Sequence, residues 1–256
     1  MQPEHFFEGQ MLELAKAIAK SDRENIAASI RAGADPNGYG KEGMTPLLFA
    51  LGSKSKISLK TLLENGADPN MRISAPDAPE GVKDETAVTF VAGATNNEYL
   101  SILLDHGGDV NAKDSNREPI LITMFFVSPP NYEGIKLLLQ RGADINATDS
   151  SGSTLLMDMA RLRHFEQAYQ LLEQGADHRI KDGTGYGPDF YIYQEKIDPK
   201  AFPEAYEWQR KCQEFLKARG VDDPGPLKPL SAEEQEEQDR RIEEAFEAQS
   251  RKREQQ

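Results

Sequence analysis

The sequence predicts an all-α fold: a solenoid of about six helix-turn-helix units with extended finger loops between them and a charged C-terminal tail. Three observations predict it. A glycine-led phrase returns at Gly33-Ala34-Asp35-Pro36-Asn37, Gly66-Ala67-Asp68-Pro69-Asn70, Gly107-Gly108-Asp109-Val110-Asn111, Gly142-Ala143-Asp144-Ile145-Asn146 and Gly175-Ala176-Asp177-His178-Arg179, at intervals of 33, 41, 35 and 33 residues. From the second phrase onward a Leu-Leu pair precedes the glycine: Leu62-Leu63, Leu103-Leu104, Leu138-Leu139 and Leu171-Leu172. Thr45, Thr86 and Thr154 each stand 21 residues ahead of one of these glycines and open an apolar run at helical spacing. Self-similarity at such a period is the signature of a stacked array.

Residues 1–11 form an N-terminal lead. Counting back from Gly33 makes Leu12–Ala32 a capping repeat, with Leu14, Ala17 and Ile18 facing inward. The units fall near 12–44, 45–85, 86–118, 119–153, 154–186 and 187–224. In the units that open at Thr45, Thr86 and Thr154, threonine caps the first helix, and proline after it, as at Pro46, has the φ that a first helical residue needs. The Leu-Leu pair is the last buried turn of the second helix. The glycine then stops that helix, because it enters the left-handed region without steric penalty. Asp114, Asp149 and Asp182 recur three residues after the asparagine position, where a carboxylate caps the backbone of a turn. The last unit closes at Gly220 after a 12-residue excess around Glu195–Trp208. Residues 225–256 form the tail; Ser231–Gln256 carries nine acids and five bases. It reads as a solvated helix or a disordered segment.

This pattern resembles the ankyrin repeat, whose unit has the same length and the same threonine-proline-leucine and glycine-alanine-aspartate landmarks. The resemblance implies protein binding through a groove formed by the fingers and the exposed side of the first helices. The loosely patterned repeats and short acidic chain resemble bacterial ankyrin proteins. Some of those serve as immunity or accessory proteins for secreted toxins, including type VI secretion effectors.

Composition narrows the partner. Thirty Lys and Arg against 43 Asp and Glu leave a net charge of -13, which repels phosphate backbones and anionic lipid. Nucleic acid is therefore not expected as a partner, and no apolar run reaches the length of a membrane span. A single cysteine, Cys212, allows neither an internal disulfide nor a thiolate cluster. The first residues lack the basic and apolar regions of an export signal, so a cytoplasmic location is expected, or a periplasmic one if a leader has been removed. No metal, cofactor or catalytic constellation assembles: the four histidines lack ligand spacing, and Gly183-Thr184-Gly185-Tyr186-Gly187 has neither the strand nor the lysine of a phosphate loop.

Three departures from the period draw attention to themselves. The second finger, Met71–Glu85, is eight residues longer than the first. Ser128–Tyr132 adds two residues between helices, and the last repeat holds the only tryptophan. Ordering so long a finger costs entropy that the array itself does not require, so a partner is expected to offset it. The residues expected at the interface are Tyr39, Lys41, Glu42 and Met44 in the first finger and Asp77, Glu80, Asp84 and Glu85 in the second. Beyond them come Ser115, Asn116, Phe126, Ser150, Ser151, Arg161 and Tyr186. Burial of Phe126 under Tyr132 is the competing reading of that residue. The expected function is a non-enzymatic, protein-binding module, monomeric alone, whose partner has a basic surface. The alternative is a catalytic or ligand-binding protein with a pocket among Tyr186, Phe190, Tyr191, Tyr193, Phe202, Tyr206 and Trp208.

Overall fold

The computed structural model describes residues 1–94, 96–194 and 196–225 together with Arg240, so the tail expected over 231–256 lies outside the described residues. The chain divides into two compact units, Met1–Leu155 and Leu156–Gln256. Among the described residues it is helical, with two isolated antiparallel bridges, Lys113 with Pro119 and Thr148 with Thr154.

The first unit contains α1 (Pro3–Phe6), α2 (Gly9–Ala19), α3 (Arg23–Arg31), a 3-10 turn at Lys41–Gly43, α4 (Pro46–Gly52), α5 (Lys56–Glu64), α6 (Ala87–Ala92), α7 (Asn97–Asp105), α8 (Ile120–Phe126) and α9 (Tyr132–Gln140). Helices pack in consecutive pairs, α2 with α3, α4 with α5, α6 with α7 and α8 with α9. The second helices form one row, α3 to α5 to α7 to α9, while α2 meets α4 and α6 meets α8 on the other side. The core runs through the pairs: Leu14, Ile18, Ile26, Phe49, Leu59, Leu62, Val88, Leu100, Leu103, Met124 and Leu138 are all fully buried. Leu14, Ala17 and Ile18 face inward as expected, although α2 begins at Gly9, ahead of Leu12.

Capping explains the helix boundaries. Thr45 Oγ1 accepts from the Leu48 N–H and Thr86 Oγ1 from the Thr89 N–H, each starting a first helix. Asp22, Ser55, Asn96 and Asn131 do the same for the second helices. Asn131 follows the two-residue insertion of its repeat and holds the same cap position as Ser55 and Asn96; its Nδ2 also donates to the Ala94 carbonyl, which ties its repeat to the preceding one. At the other end of each second helix, Gly33, Gly66, Gly107 and Gly142 take φ of +105°, +92°, +88° and +88°. The next amide then donates back into the last turn: Ala34 to the Ser29 carbonyl, Ala67 to Leu62, Gly108 to Leu103 and Ala143 to Leu138, at 2.9–3.0 Å.

Two further ladders run from repeat to repeat. The Asn37 Nδ2 donates to the Gly66 carbonyl while its Oδ1 accepts from the Asp68 N–H; Asn70 does the same to Gly107 and Asp109, and Asn111 Oδ1 accepts from Asp144. On the row of second helices, ion pairs join Arg23 to Glu64, Lys56 to Glu98 and Arg141 to Asp105. These pairs are exposed and screened by solvent, whereas each asparagine bonds backbone groups of the next repeat.

The second unit, described by itself, holds α10 (Leu155–Arg161), α11 (Phe165–Glu173), α12 (Pro188–Gln194) and α13 (Pro203–Lys217). Helix α13 packs against both α11 and α12 around Phe165, Ala168, Leu171, Ile192, Cys212 and Leu216. It is 15 residues long where α11 has nine, so the excess of the last repeat is shared between a longer helix and the segment before it. Trp208 lies 5.7 Å from Tyr169, with the Lys211 ammonium 3.5 Å from its ring. The Cys212 thiol is 3.4 Å from the Phe165 carbonyl, and burial pushes it up to about 12.

Candidate protein-binding site

Four residues after its capping threonine, a first helix presents one side chain toward the fingers. In α4 that residue is Phe49, and in α6 it is Phe90. Phe49 is fully buried, whereas Phe90 is 47% exposed. The difference comes from the lead. Phe7 packs edge-on against Phe49 at 5.6 Å and Phe6 lies 6.4 Å from it. Glu8 pairs with Lys41 at 2.8 Å, and His5 Nε2 stands 3.8 Å from Glu42. The Lys41 ammonium holds the Glu8 carboxyl below its ordinary value, mainly through that hydrogen bond.

Clefts open on the first unit. One, of about 420 Å³, lies away from Phe90 and is lined by residues of the 110–113, 119–121 and 144–148 segments. Another, of about 250 Å³, is lined by Gly81 and Glu85 of the long finger, Thr89, Phe90, Ala92 and Gly93 of α6 and its cap, Asp114 of the third finger, and Thr123 and Val127 of α8 and its end. Phe126, next to Val127, is 55% exposed. It is Phe125, not Phe126, whose ring stands 6.5 Å from Tyr132, so the burial of Phe126 under that tyrosine does not occur.

The fingers are built by hydrogen bonds that use several of the residues expected to face a partner. Tyr39 donates to the Arg72 carbonyl at 2.6 Å, and the Glu42 N–H donates to Asp77 Oδ2 at 2.7 Å, so the first and second fingers are joined. Within the long finger the Ile73 N–H donates to the Glu85 carbonyl and the Asp84 N–H to the Ile73 carbonyl, both at 2.9 Å. Ile73 and Ala75 are buried. Part of the entropy cost of this long loop is therefore offset by its own contacts, beside whatever a partner adds. Glu85 Oε1 accepts from the Ser115 N–H at 2.9 Å, and Glu118 repeats the device on the Ser150 N–H. Asp114 Oδ1 accepts from the Asn116 and Glu118 N–H groups, and Asp149 Oδ1 from Ser151 and Ser153, which are the turn caps anticipated from sequence. Glu80, at the tip, is exposed, and Met44 is half-buried.

In the second unit Arg161 pairs with the buried Asp158, and its guanidinium lies 5.9 Å from the Tyr191 ring. Tyr186 stacks on Phe190 at 4.2 Å. Tyr191 donates to Asp182 Oδ2 at 2.6 Å; burial, and then that carboxylate, push its hydroxyl up to about 12. Tyr193 donates to the Gln213 and Val221 carbonyls. These aromatics contact one another and the chain's own backbone. Among the described residues no group of three or more His, Cys, Asp and Glu is arranged to hold a metal ion, and no helix is long and apolar enough to cross a membrane.

Residues 42–74 match the Ankyrin repeat family, and solved structures extend the likeness along the chain. The chain folds as ankyrin repeats. The ankyrin repeat domain of Bcl-3, a member of the IkappaB protein family, is similar with 24% identity and a TM-score of 0.59, over 77% of this chain and 81% of that one. The ankyrin repeat protein EF0377 shares 24% identity with a TM-score of 0.57, over 77% and 96%. A chain from the Bd0816 predatory endopeptidase of Bdellovibrio bacteriovorus in complex with immunity protein Bd3460 shares 19% identity with a TM-score of 0.55, over 78% and 97%. No curated protein matches. Ankyrin repeats are protein-interaction modules.

Phe90 is the site residue that sequence reasoning passed over. Its signal was present: it has the phase of Phe49, four residues past a capping threonine.

Proposed function

We propose that this protein is a non-enzymatic binding module, monomeric alone, that recognises one protein through the finger side of its first helices, and that it belongs to the immunity type, neutralising a secreted toxin of bacterial origin. The observation that carries the binding reading is the half-exposed Phe90 beside an open cleft whose far edge is Val127, next to the exposed Phe126. Aromatic side chains in partly enclosed surface sites are the residues on which interface energy concentrates. The immunity reading is supported by the fold shared with a chain of the Bd0816–Bd3460 complex. A partner with a basic rim, such as a type VI secretion effector, suits a chain of net charge -13. Exposed acids such as Glu80 would supply the attraction.

Affinity capture from the encoding organism, followed by mass spectrometry, tests the binding reading. Expressing the captured protein with and without this chain tests the second part. A captured protein that arrests growth alone and is harmless beside this chain is the expected result. A partner that is not toxic would overturn the immunity reading and leave the binding module. Weakening of the complex by added salt is expected of the basic rim.

A further inference from the structure

The chain itself demonstrates what a phenylalanine on the finger side of a first helix accepts. Over Phe49 lies a short segment with two adjacent aromatic residues, Phe6 and Phe7, flanked by His5 and Glu8, which contact the charged side chains of the nearest finger. One repeat further on, Phe90 has the same phase and no such cover.

The cleft beside Phe90 has a definite chemistry. At about 250 Å³ it falls below the ~300–1,000 Å³ of small-ligand pockets and suits a protruding side chain. Phe90 and the half-buried Val127 offer apolar surface beside the exposed Gly93. Thr89 Oγ1 donates its proton to the Thr86 carbonyl and Thr123 Oγ1 to the Ile120 carbonyl, so neither hydroxyl has a donor left for a ligand. The edge is acidic. Glu85 and Asp114 both line the cleft, and each engages one carboxylate oxygen with internal N–H groups. Glu85 Oε2 and Asp114 Oδ2 lie outside those bonds.

We propose that this cleft binds a peptide segment of a protein partner in which an aromatic side chain stands next to a lysine or arginine, the ring entering beside Phe90 and the cation meeting Glu85 and Asp114. The assignment rests on the protein-binding reading and adds the chemistry of the segment recognised. A buried ring contributes ~150–250 Å² of contact, and edge-to-face packing like that of Phe7 on Phe49 gives it orientation. The paired carboxylates select its neighbour, since a second acid there would be repelled.

The test uses the full chain and a defined probe, the capped tetrapeptide Lys-Phe-Phe-Lys, followed by amide chemical shifts. Saturable shifts at Phe90, Gly93 and Val127 are expected, with Glu-Phe-Phe-Glu and Lys-Ala-Ala-Lys each at least about tenfold weaker. Phe90→Ser should abolish the shifts. Gly93→Leu provides a second variant that does not depend on removing a helix residue: Gly93 lines the cleft and no atom lies within 4 Å of a Cβ built there, so the bulk is added at the cleft's edge without a clash at that carbon. Glu85→Gln retains an acceptor for the Ser115 N–H and should weaken the lysine peptide alone. Absence of saturable shifts, equal binding of Lys-Ala-Ala-Lys, or binding indifferent to both Phe90→Ser and Gly93→Leu would overturn the assignment. A captured protein partner that holds those two variants as tightly as the parent would overturn it too, while leaving the protein-binding reading intact. A failed capture beside a successful titration would count against the reading and not against the cleft.

Discussion

Phe49 and Phe90 occupy one position in successive repeats, each four residues past a capping threonine on a first helix, yet one is sealed and the other is half open to solvent. Neither the helix nor its repeat accounts for the difference. The lead covers one and stops short of the next. In a repeat protein the phase of a residue fixes the direction it faces, and what lies outside the period decides whether that direction is core or surface.

The contrast can be broken most directly by the same substitution at both positions. Phe49→Asp puts an unpaired carboxylate under Phe6 and Phe7 and should cost at least about 3 kcal/mol in urea unfolding. Phe90→Asp should cost less than about 1 kcal/mol. Equal losses would mean that the two sites do not differ as described. Phe7→Ala probes the cover itself. A buried Phe→Ala change costs ~3–5 kcal/mol in a closed core. Here about 2 kcal/mol is expected, because a short lead can undock instead of leaving a cavity. Hydrogen exchange at the Phe7 amide, which donates to the Pro3 carbonyl at 3.0 Å, should accelerate in parallel, and an unaltered midpoint with unaltered exchange would show that the lead is not docked.

Where repeats agree, the penalty should follow backbone geometry alone. Gly142→Val places a β-branched residue at φ +88° with no atom within 4 Å of its Cβ, so the loss of about 1–2 kcal/mol would be torsional strain without a clash. Where repeats disagree, a gain is available. Two residues before its first-helix cap, a finger turns through the left-handed region, at Gly43 and Gly152 but also at Asp84 and Arg117, with φ of +66° and +67° for the last two. Arg117→Gly relieves ~1–2 kcal/mol of strain and loses ~0.4–1 kcal/mol to the freer unfolded chain, so thermal unfolding should show a net change between none and a stabilisation of about 1.5 kcal/mol.

The periodic parts of this fold were legible in the sequence because helix caps and stops are local chemistry: Thr45, Thr86 and the phrase glycines act on residues within one turn of themselves. Contacts that cross from one repeat to the next were not. Asn37 is visible as a recurring letter, but its bond to the Gly66 carbonyl spans 29 residues and emerges only when the stack closes. Glu85 read as an acid available to a partner because its bond to Ser115, 30 residues on, leaves no local trace. Phe90 was hidden among apolar residues at helical spacing, since periodicity records which way a side chain points and says nothing of what covers it.

The asparagine ladder of the first unit runs in one direction. Asn37 supports the helix end at Gly66, and Asn70 supports the one at Gly107, so each repeat is held by its predecessor and holds its successor. Trimming from the N-terminal side would strip a second-helix end of both its carbonyl bond and the neighbouring aspartate N–H bond. Trimming from the C-terminal side would leave those ends with their asparagines and strip the first-helix ends instead, where Ser58 Oγ donates to the Ile18 carbonyl and Asn131 Nδ2 to the Ala94 carbonyl. The two ends of a repeat's helix pair thus depend on opposite neighbours, and removal of a repeat from either side exposes a different set of carbonyls.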